Sequence, residues 1–291
     1  MSARPPALAA RPGAAGPRPG ELRVPGPVPA LGRRAFLVTA LAALATGVRR
    51  AGGAVEPRRG SITARASLLY GILRIEESGV IEAAIDPAGG RYEVRVRAQG
   101  ADLATELDSS GVLREGRWAP TRFQDRFVVH GRESRLEIGY DHARRTIEFH
   151  GRSETFFLRR TRAVDDVVPM PPGLHVDDVI SAILNYADGR WPPEPDGTFL
   201  TRVVRRRRGP REGPDDVDRT YRAELVPFAL RVTDEDGRPT ATFDMTRFSS
   251  WARADEPGRI VFTRDRRPET ISASLILGTA LTIRIEPGAL S

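Results

Sequence analysis

The sequence predicts a mainly antiparallel β protein, on three observations. From residue 65 onward, short runs alternate apolar and polar residues, the habit of strands with one buried and one wetted face. Clusters of Gly, Pro and Asp separate those runs at hairpin spacing. One segment only, Val176–Ala187, carries a strong helical period. Together these predict a sheet of roughly ten to twelve strands with one or two covering helices. No internal repeat is visible, which argues against a propeller or solenoid.

Along the chain, residues 1–32 are Pro, Gly, Ala and Arg with almost no aromatic or β-branched content. Such a stretch buries too little apolar surface to offset its ordering entropy, so disorder is expected, unless translation starts further on. Residues 33–54 come next. Arg33-Arg34-Ala35-Phe36-Leu37 opens an apolar run that ends at Val48. The pattern resembles a twin-arginine export signal. The run from Ala35 to Val48 has 14 residues. As a helix it reaches about 21 Å, against a hydrocarbon core of about 30 Å. Thr39, Thr46 and Gly47 dilute it further. A cleavable segment is expected rather than an anchor, with small residues Gly52 and Ala54 placing cleavage after Ala54. The competing reading is the amphipathic or disordered tail of a cytosolic protein. Export leaves one β-rich domain, 55–291, soluble in the periplasm, with no stable membrane span after cleavage and the twin-arginine export machinery as its first partner.

Composition sets exclusions. All 45 basic residues are arginine and there is no cysteine. Lysine Schiff bases, P-loop lysines, disulfides and cysteine-based metal or redox sites are therefore out. The net charge of +7 suggests an anionic partner until its distribution is read. Residues 1–54 hold eight of the 45 arginines and one of the 38 acids, so the rest of the chain has 37 of each and is neutral. The global argument for nucleic acid disappears with that balance, and no nucleic-acid partner is expected.

Among the strands, Arg91–Ala98 is the clearest, with Tyr92, Val94, Val96 and Ala98 on one face. Leu136, Ile138 and Tyr140 repeat the pattern, as do Ile147 with Phe149, Ala241 with Phe243 and Met245, and Leu281 with Ile283 and Ile285. Asp86–Gly90, Asp141–Arg144 and Asp234–Gly237 supply the turns between neighbours. Ala101–Leu107 reads as a short helix. In the longer helix, Val176, Val179, Ile180, Ile183 and Ala187 share a face, and Asp177-Asp178 suit the positive end of the dipole.

Ser110 and Gly111 before Pro120, Tyr140-Asp141 at a hairpin, a proline-rich lead into Asp178…Ser181-Ala182, and Arg266-Arg267-Pro268 before paired strands form a wider pattern. Over roughly residues 66–286 it resembles a family of exported proteobacterial proteins known as a domain of unknown function. The resemblance implies a long curved antiparallel sheet, similar to the half-barrel or open barrel of LolA-type and LppX-type carriers. It implies no catalytic residues.

Reactive groups are sparse. Of the four histidines, His130 and His150 end strand-like runs, and His142 sits in a turn beside Asp141. None pairs at the i,i+4 spacing of a helical zinc motif, so no metal site is expected. Asp165-Asp166, Asp177-Asp178 and Asp215-Asp216 are candidate acid–base pairs, but a helix cap and loop solubility account for them. Gly-x-Ser-x-Gly is absent, and Gly89-Gly90 lies in a hairpin rather than before a helix. Arg205–Arg208 is answered by Glu212, Asp215, Asp216 and Asp218 and reads as a solvated hairpin. No catalytic residue and no cofactor is expected. The favoured reading is a periplasmic binding or envelope-maintenance protein that encloses a lipid or other apolar molecule. Its candidate lining is Tyr92, Val94, Val96, Leu136, Ile138, Tyr140, Ile147 and Phe149. The alternatives are a scaffold in an envelope complex and a glycan hydrolase.

Overall fold

The structure is a computed structural model. It describes residues 58–287 apart from 69–72, 102, 156–157, 208, 210–211, 213–215, 219, 248–252, 254 and 276–278. The N-terminal extension, the signal residues Arg33, Arg34, Phe36 and Leu37, and the cleavage point after Ala54 lie outside the described residues.

Among the described residues fourteen strands form one antiparallel sheet, more than the roughly ten to twelve that alternation predicts. They are β1 (Arg58–Leu68), β2 (Leu73–Asp86), β3 (Arg91–Gly100), β4 (Leu103–Arg114), β5 (Arg117–Val129), β6 (Arg132–Asp141), β7 (Thr146–Glu154), β8 (Thr161–Pro169), β9 (Thr198–Arg206), β10 (Ala223–Glu235), β11 (Arg238–Phe243), β12 (Gly258–Phe262), β13 (Pro268–Leu275) and β14 (Thr279–Pro287). The undercount has a physical reason. Several strands turn polar or small residues inward, such as Thr105, Ser109 and Gly111 of β4 or Arg162 of β8, so they lack apolar alternation. Ala101–Leu107, expected as a short helix, belongs largely to β4 for that reason. Its outward Glu106 and Asp108 pair across the sheet with Arg126 (3.1 Å) and Arg97 (2.7 Å).

The order is β8-β7-β6-β5-β4-β3-β2-β1-β14-β13-β12-β11-β10-β9. Two meanders thus join where β1 pairs with β14, from Gly60↔Pro287 to Ser67↔Ala280. Curvature follows from strand twist and from irregularities at Ser110/Gly111 and Val261/Phe262. At the first of these, Gly111 turns inward against the Ala119 carbonyl and the Tyr92 ring, where any Cβ would collide. The result is a sheet nearly closed into a barrel rather than a half-barrel. Its edges approach where the β8 carboxylate of Asp166 accepts from the β10 amide of Ala223 at 2.8 Å. Among the described residues no ladder joins β8 to β9.

The neutral body is explained on the outer face. Arg59 stands opposite Glu82, and Arg65 opposite Glu76, each bonded across the sheet. Such exposed pairs add little stability, about 0–1 kcal/mol each, but they absorb the arginines.

One helix, α1 (Val179–Ala187), is described, shorter than the Val176–Ala187 expected, because Val176 instead bridges Arg202 of β9. Every residue from Val179 to Tyr186 is buried, Ser181 and Asn185 included, so the helix lies against the inner face with β4, β5 and β9 as neighbours. Asp178 caps it: the Ser181 amide donates to Asp178 Oδ1 (2.6 Å) and the Asp178 amide to Ser181 Oγ (3.0 Å). Beside its last turn, Tyr186 packs on Phe199 (5.1 Å) and Phe262 (4.8 Å).

Candidate functional site

Two features converge at the start of the helix: a buried polar network and a cavity. The network begins where the chain leaves β8 and runs beside β9. The Asp177 amide donates to the Arg202 carbonyl at 2.8 Å, which fixes the Asp177 carboxylate in the interior. Oδ2 accepts from Arg117 Nη2 (2.9 Å) and Thr201 Oγ1 (2.5 Å). Oδ1 accepts from Asn185 Nδ2 (3.0 Å) and Ser181 Oγ (3.2 Å). Asn185 also exchanges two bonds with the backbone of Trp118, at 2.7 and 2.9 Å. The helix is thereby tied to β5 and β9 at once. Asp178 adds β4: Ser109 Oγ donates to its Oδ2 at 2.6 Å, and Tyr92 Oη lies 3.1 Å from the same Ser109 hydroxyl.

Burial sets the electrostatics. It pushes the Asp178 carboxyl up to about 6, against the pull of its hydrogen bonds from Ser109 and Ser181. It raises Asp177 too, with Arg117 pulling the other way. The hydroxyls of Tyr92 and Tyr140 are driven well above their usual range, first by burial and then by the nearby aspartates, so both remain hydrogen-bond donors. Asp125, inward on β5, is pushed well up by burial, and its Oδ2 has no hydrogen-bond partner.

The cavity, about 200 Å³, lies at the seam between the sheet's two edge strands. Its walls are β6 and β7, the facing edges β8 and β9, and the start of α1. Phe123, Leu136, Ile138, Phe149, Val164, Val179, Val203 and Val204 make it apolar, with Tyr140, Asp177 and Asp178 bordering it beside the helix start. Arg135, Arg152, Arg162, Arg205 and Arg206 border it as well. Of the lining predicted from sequence, Leu136, Ile138, Tyr140 and Phe149 border this cavity. Tyr92, Val94, Val96 and Ile147 lie in the packed core instead. Phe123, Val164, Val179, Val203 and Val204 escaped sequence reading. Val179, on the helix's apolar face, and Val203-Val204, an apolar pair ahead of the arginine run, carried a signal.

The arginine run is countered by acids. Arg205 and Arg207 bond Glu224 (2.9 and 3.3 Å), and Arg206 grips Glu212 through both Nη atoms at 2.8 Å. Arg206 also stacks on Tyr221, 4.5 Å from the ring centroid. Glu212 lies 3.6 Å from the buried Arg162, whose Nε donates to the Asp216 carbonyl at 2.6 Å, so this segment straps β9 to β8 across the seam. Arg208 and Asp215 lie outside the described residues.

The remaining candidates are dispersed. His150 and Arg152 bond Asp165 on the outer face (2.8 and 2.5 Å). His142 Nε2 contacts the Pro120 carbonyl at 2.7 Å. His130 sits in a turn with positive φ. A second cavity, bordered by Arg117, His142, His175 and Asp177, lies on the other side of Asp177. Asp177 makes four side-chain bonds there and Asp178 two, so neither carboxylate is left open to a substrate proton. Asp178 is the N-cap that the sequence suggested; Asp177 is a structural anchor rather than a second cap. Among the described residues no cluster of three His, Asp or Glu is placed to hold a metal ion, and no helix is long and apolar enough to cross a membrane.

Comparison with known proteins leaves the family open. No family model matches the chain, and no curated protein matches it. Among solved structures, the chain is similar to a β-barrel-like protein of a domain of unknown function, DUF1849, from Brucella abortus. The two are 10% identical, the match covers 81% of this chain and 99% of that one, and the TM-score is 0.39. So distant a likeness transfers no role.

Proposed function

We propose that this is an exported, non-catalytic binding protein that holds a small apolar molecule in the seam cavity of its barrel. The observation that carries the reading is the cavity's lining: eight apolar side chains from five strands and the helix line it, with arginines at its border, while the interior around it is filled by the helix and aromatic residues. The catalytic alternative draws less support, since both carboxylate oxygens of Asp177 and of Asp178 at the cavity already accept from protein donors. Acting in the periplasm is the reading that fits the twin-arginine pattern ahead of a neutral, cysteine-free body.

Native mass spectrometry of the chain, purified gently from an exporting host, tests the binding. The expected result is a reproducible added mass, released on unfolding and identified as an apolar molecule. A bare mass with no uptake from a lipid extract overturns the reading. For export, the Arg33→Lys, Arg34→Lys double variant is expected to stay in the cytoplasm at full length. Its undiminished arrival in the periplasm would rule out the twin-arginine route.

A further inference from the structure

Tyr92 and Tyr140 form a natural comparison. Both are inward-facing, both are at least nine-tenths buried, and both stand near Asp177 and Asp178. Tyr92 Oη is paired with Ser109 Oγ at 3.1 Å and does not border the seam cavity. Tyr140 borders it, and its hydroxyl has no hydrogen-bond partner. A buried hydroxyl left unpaired costs about 1–3 kcal/mol, so of two neighbouring tyrosines the fold satisfies one and leaves the other, a side chain that borders the cavity, with a buried donor unspent.

We propose that the cavity takes a one-ring or short single-chain molecule that is apolar apart from one neutral hydrogen-bond acceptor, a carbonyl or ether oxygen, which Tyr140 Oη binds. This deepens the binding reading and rests on it. Size limits the ligand: about 200 Å³ exceeds the roughly 150 Å³ that accommodates benzene and falls short of the roughly 300–1,000 Å³ of sites for larger ligands. Charge limits it too. An anionic group at Tyr140 would sit beside two buried aspartates, of which only Asp177 has a cation, Arg117. The five arginines at the cavity's border are each already paired with a carboxylate: Arg135 with Glu133, Arg152 with Asp165, Arg205 with Glu224, and Arg162 and Arg206 with Glu212. A purely hydrocarbon ligand would leave the hydroxyl unsatisfied. The acceptor therefore goes inward, to Tyr140, with Ile138, Phe149, Val164 and Val179 around the rest of the molecule.

The test uses two probes of nearly equal shape, acetophenone and α-methylstyrene, which present C=O and C=CH₂ at the same place. Each is titrated against the purified exported chain by ligand-observed NMR. Tyr140→Phe is expected to weaken acetophenone about tenfold, the worth of one hydrogen bond, and to leave α-methylstyrene within about twofold. Since it removes only an unpaired hydroxyl, the variant should be at least as stable as the parent. Tyr92→Phe serves as the control: it should lose stability and leave the ratio of the two affinities unchanged. Equal changes for both probes, or none for either, overturn the acceptor proposal while leaving the cavity reading intact. If neither probe binds the parent chain and its native mass is bare, both fall.

Discussion

Replacing Asp177 with Ala is expected to lower the unfolding free energy by about 3–5 kcal/mol, the cost of stripping one partner from a buried ion pair. The side chains of Arg117 and Asp177 are 8% and 2% exposed. Arg117 Nε is already without a partner, so loss of Asp177 leaves a buried guanidinium with its principal acceptor gone. Thr201, Ser181 and Asn185 lose an acceptor in the same step, and with it the helix loses its side-chain link to β9 through Thr201. Arg117→Met in the same background should restore part of the loss, because a pair of apolar or neutral groups has no stranded charge. Urea unfolding of the parent, both single variants and the double variant measures this. A loss below about 1 kcal/mol for Asp177→Ala, or strictly additive singles, would contradict a coupled buried pair.

The sequence made the two-faced strands legible and hid the interior polar ones. Tyr92, Val94 and Val96 of β3 are all buried, and the Asp86–Gly90, Asp141–Arg144 and Asp234–Gly237 turns all connect adjacent strands. Alternation works there because one face meets the core and the other meets water. It fails for β4 and β8, whose inward Ser109 and Arg162 serve the helix cap and the seam, contacts 69 and 54 residues away in the chain. The helix shows the same limit. Its apolar stripe was visible, but a stripe suggests one buried face, and Ser181 and Asn185 are buried as well because Asp177 and Trp118 bond them. Asp177-Asp178 looked like a cap. Only the tertiary fold separates the capping Asp178 from Asp177, which meets an arginine 60 residues earlier in the chain. The cavity was half legible for a related reason. Inward residues are predictable from period two, whereas which inward residues face space rather than the helix depends on where the helix lies.

Asp178→Asn is expected to stabilise the protein at pH 7 while removing much of its pH dependence between about pH 4 and pH 6. The Asp178 carboxyl is raised from 3.8 to about 6 in the fold. Between those values the folded chain holds a proton that the unfolded chain has released, so stability falls as pH rises through the window. The contribution is complete below the unfolded value and lost above the folded one. Ionising this group inside the fold at pH 7 costs on the order of 3 kcal/mol. Asparagine avoids that cost and keeps the geometry: its carbonyl accepts from the Ser181 amide, and its amide donates to Ser109, which still accepts from Tyr92; the Ser109 proton loses its acceptor, which offsets part of the gain. Asp125 and Glu77, both raised by burial, give the parent a residual slope of the same sign. Exposed acids such as Asp165 and Glu133, lowered by their arginine partners, act in the opposite sense but weakly, since solvent screens them. Chemical unfolding of parent and variant at intervals from pH 4 to pH 8 separates these contributions. The two profiles should nearly meet at pH 4 and diverge upward in favour of Asp178→Asn. A variant less stable than the parent at pH 7, with an unchanged slope, would show that Asp178 is held ionised by its hydrogen bonds and that its burial imposes no such cost.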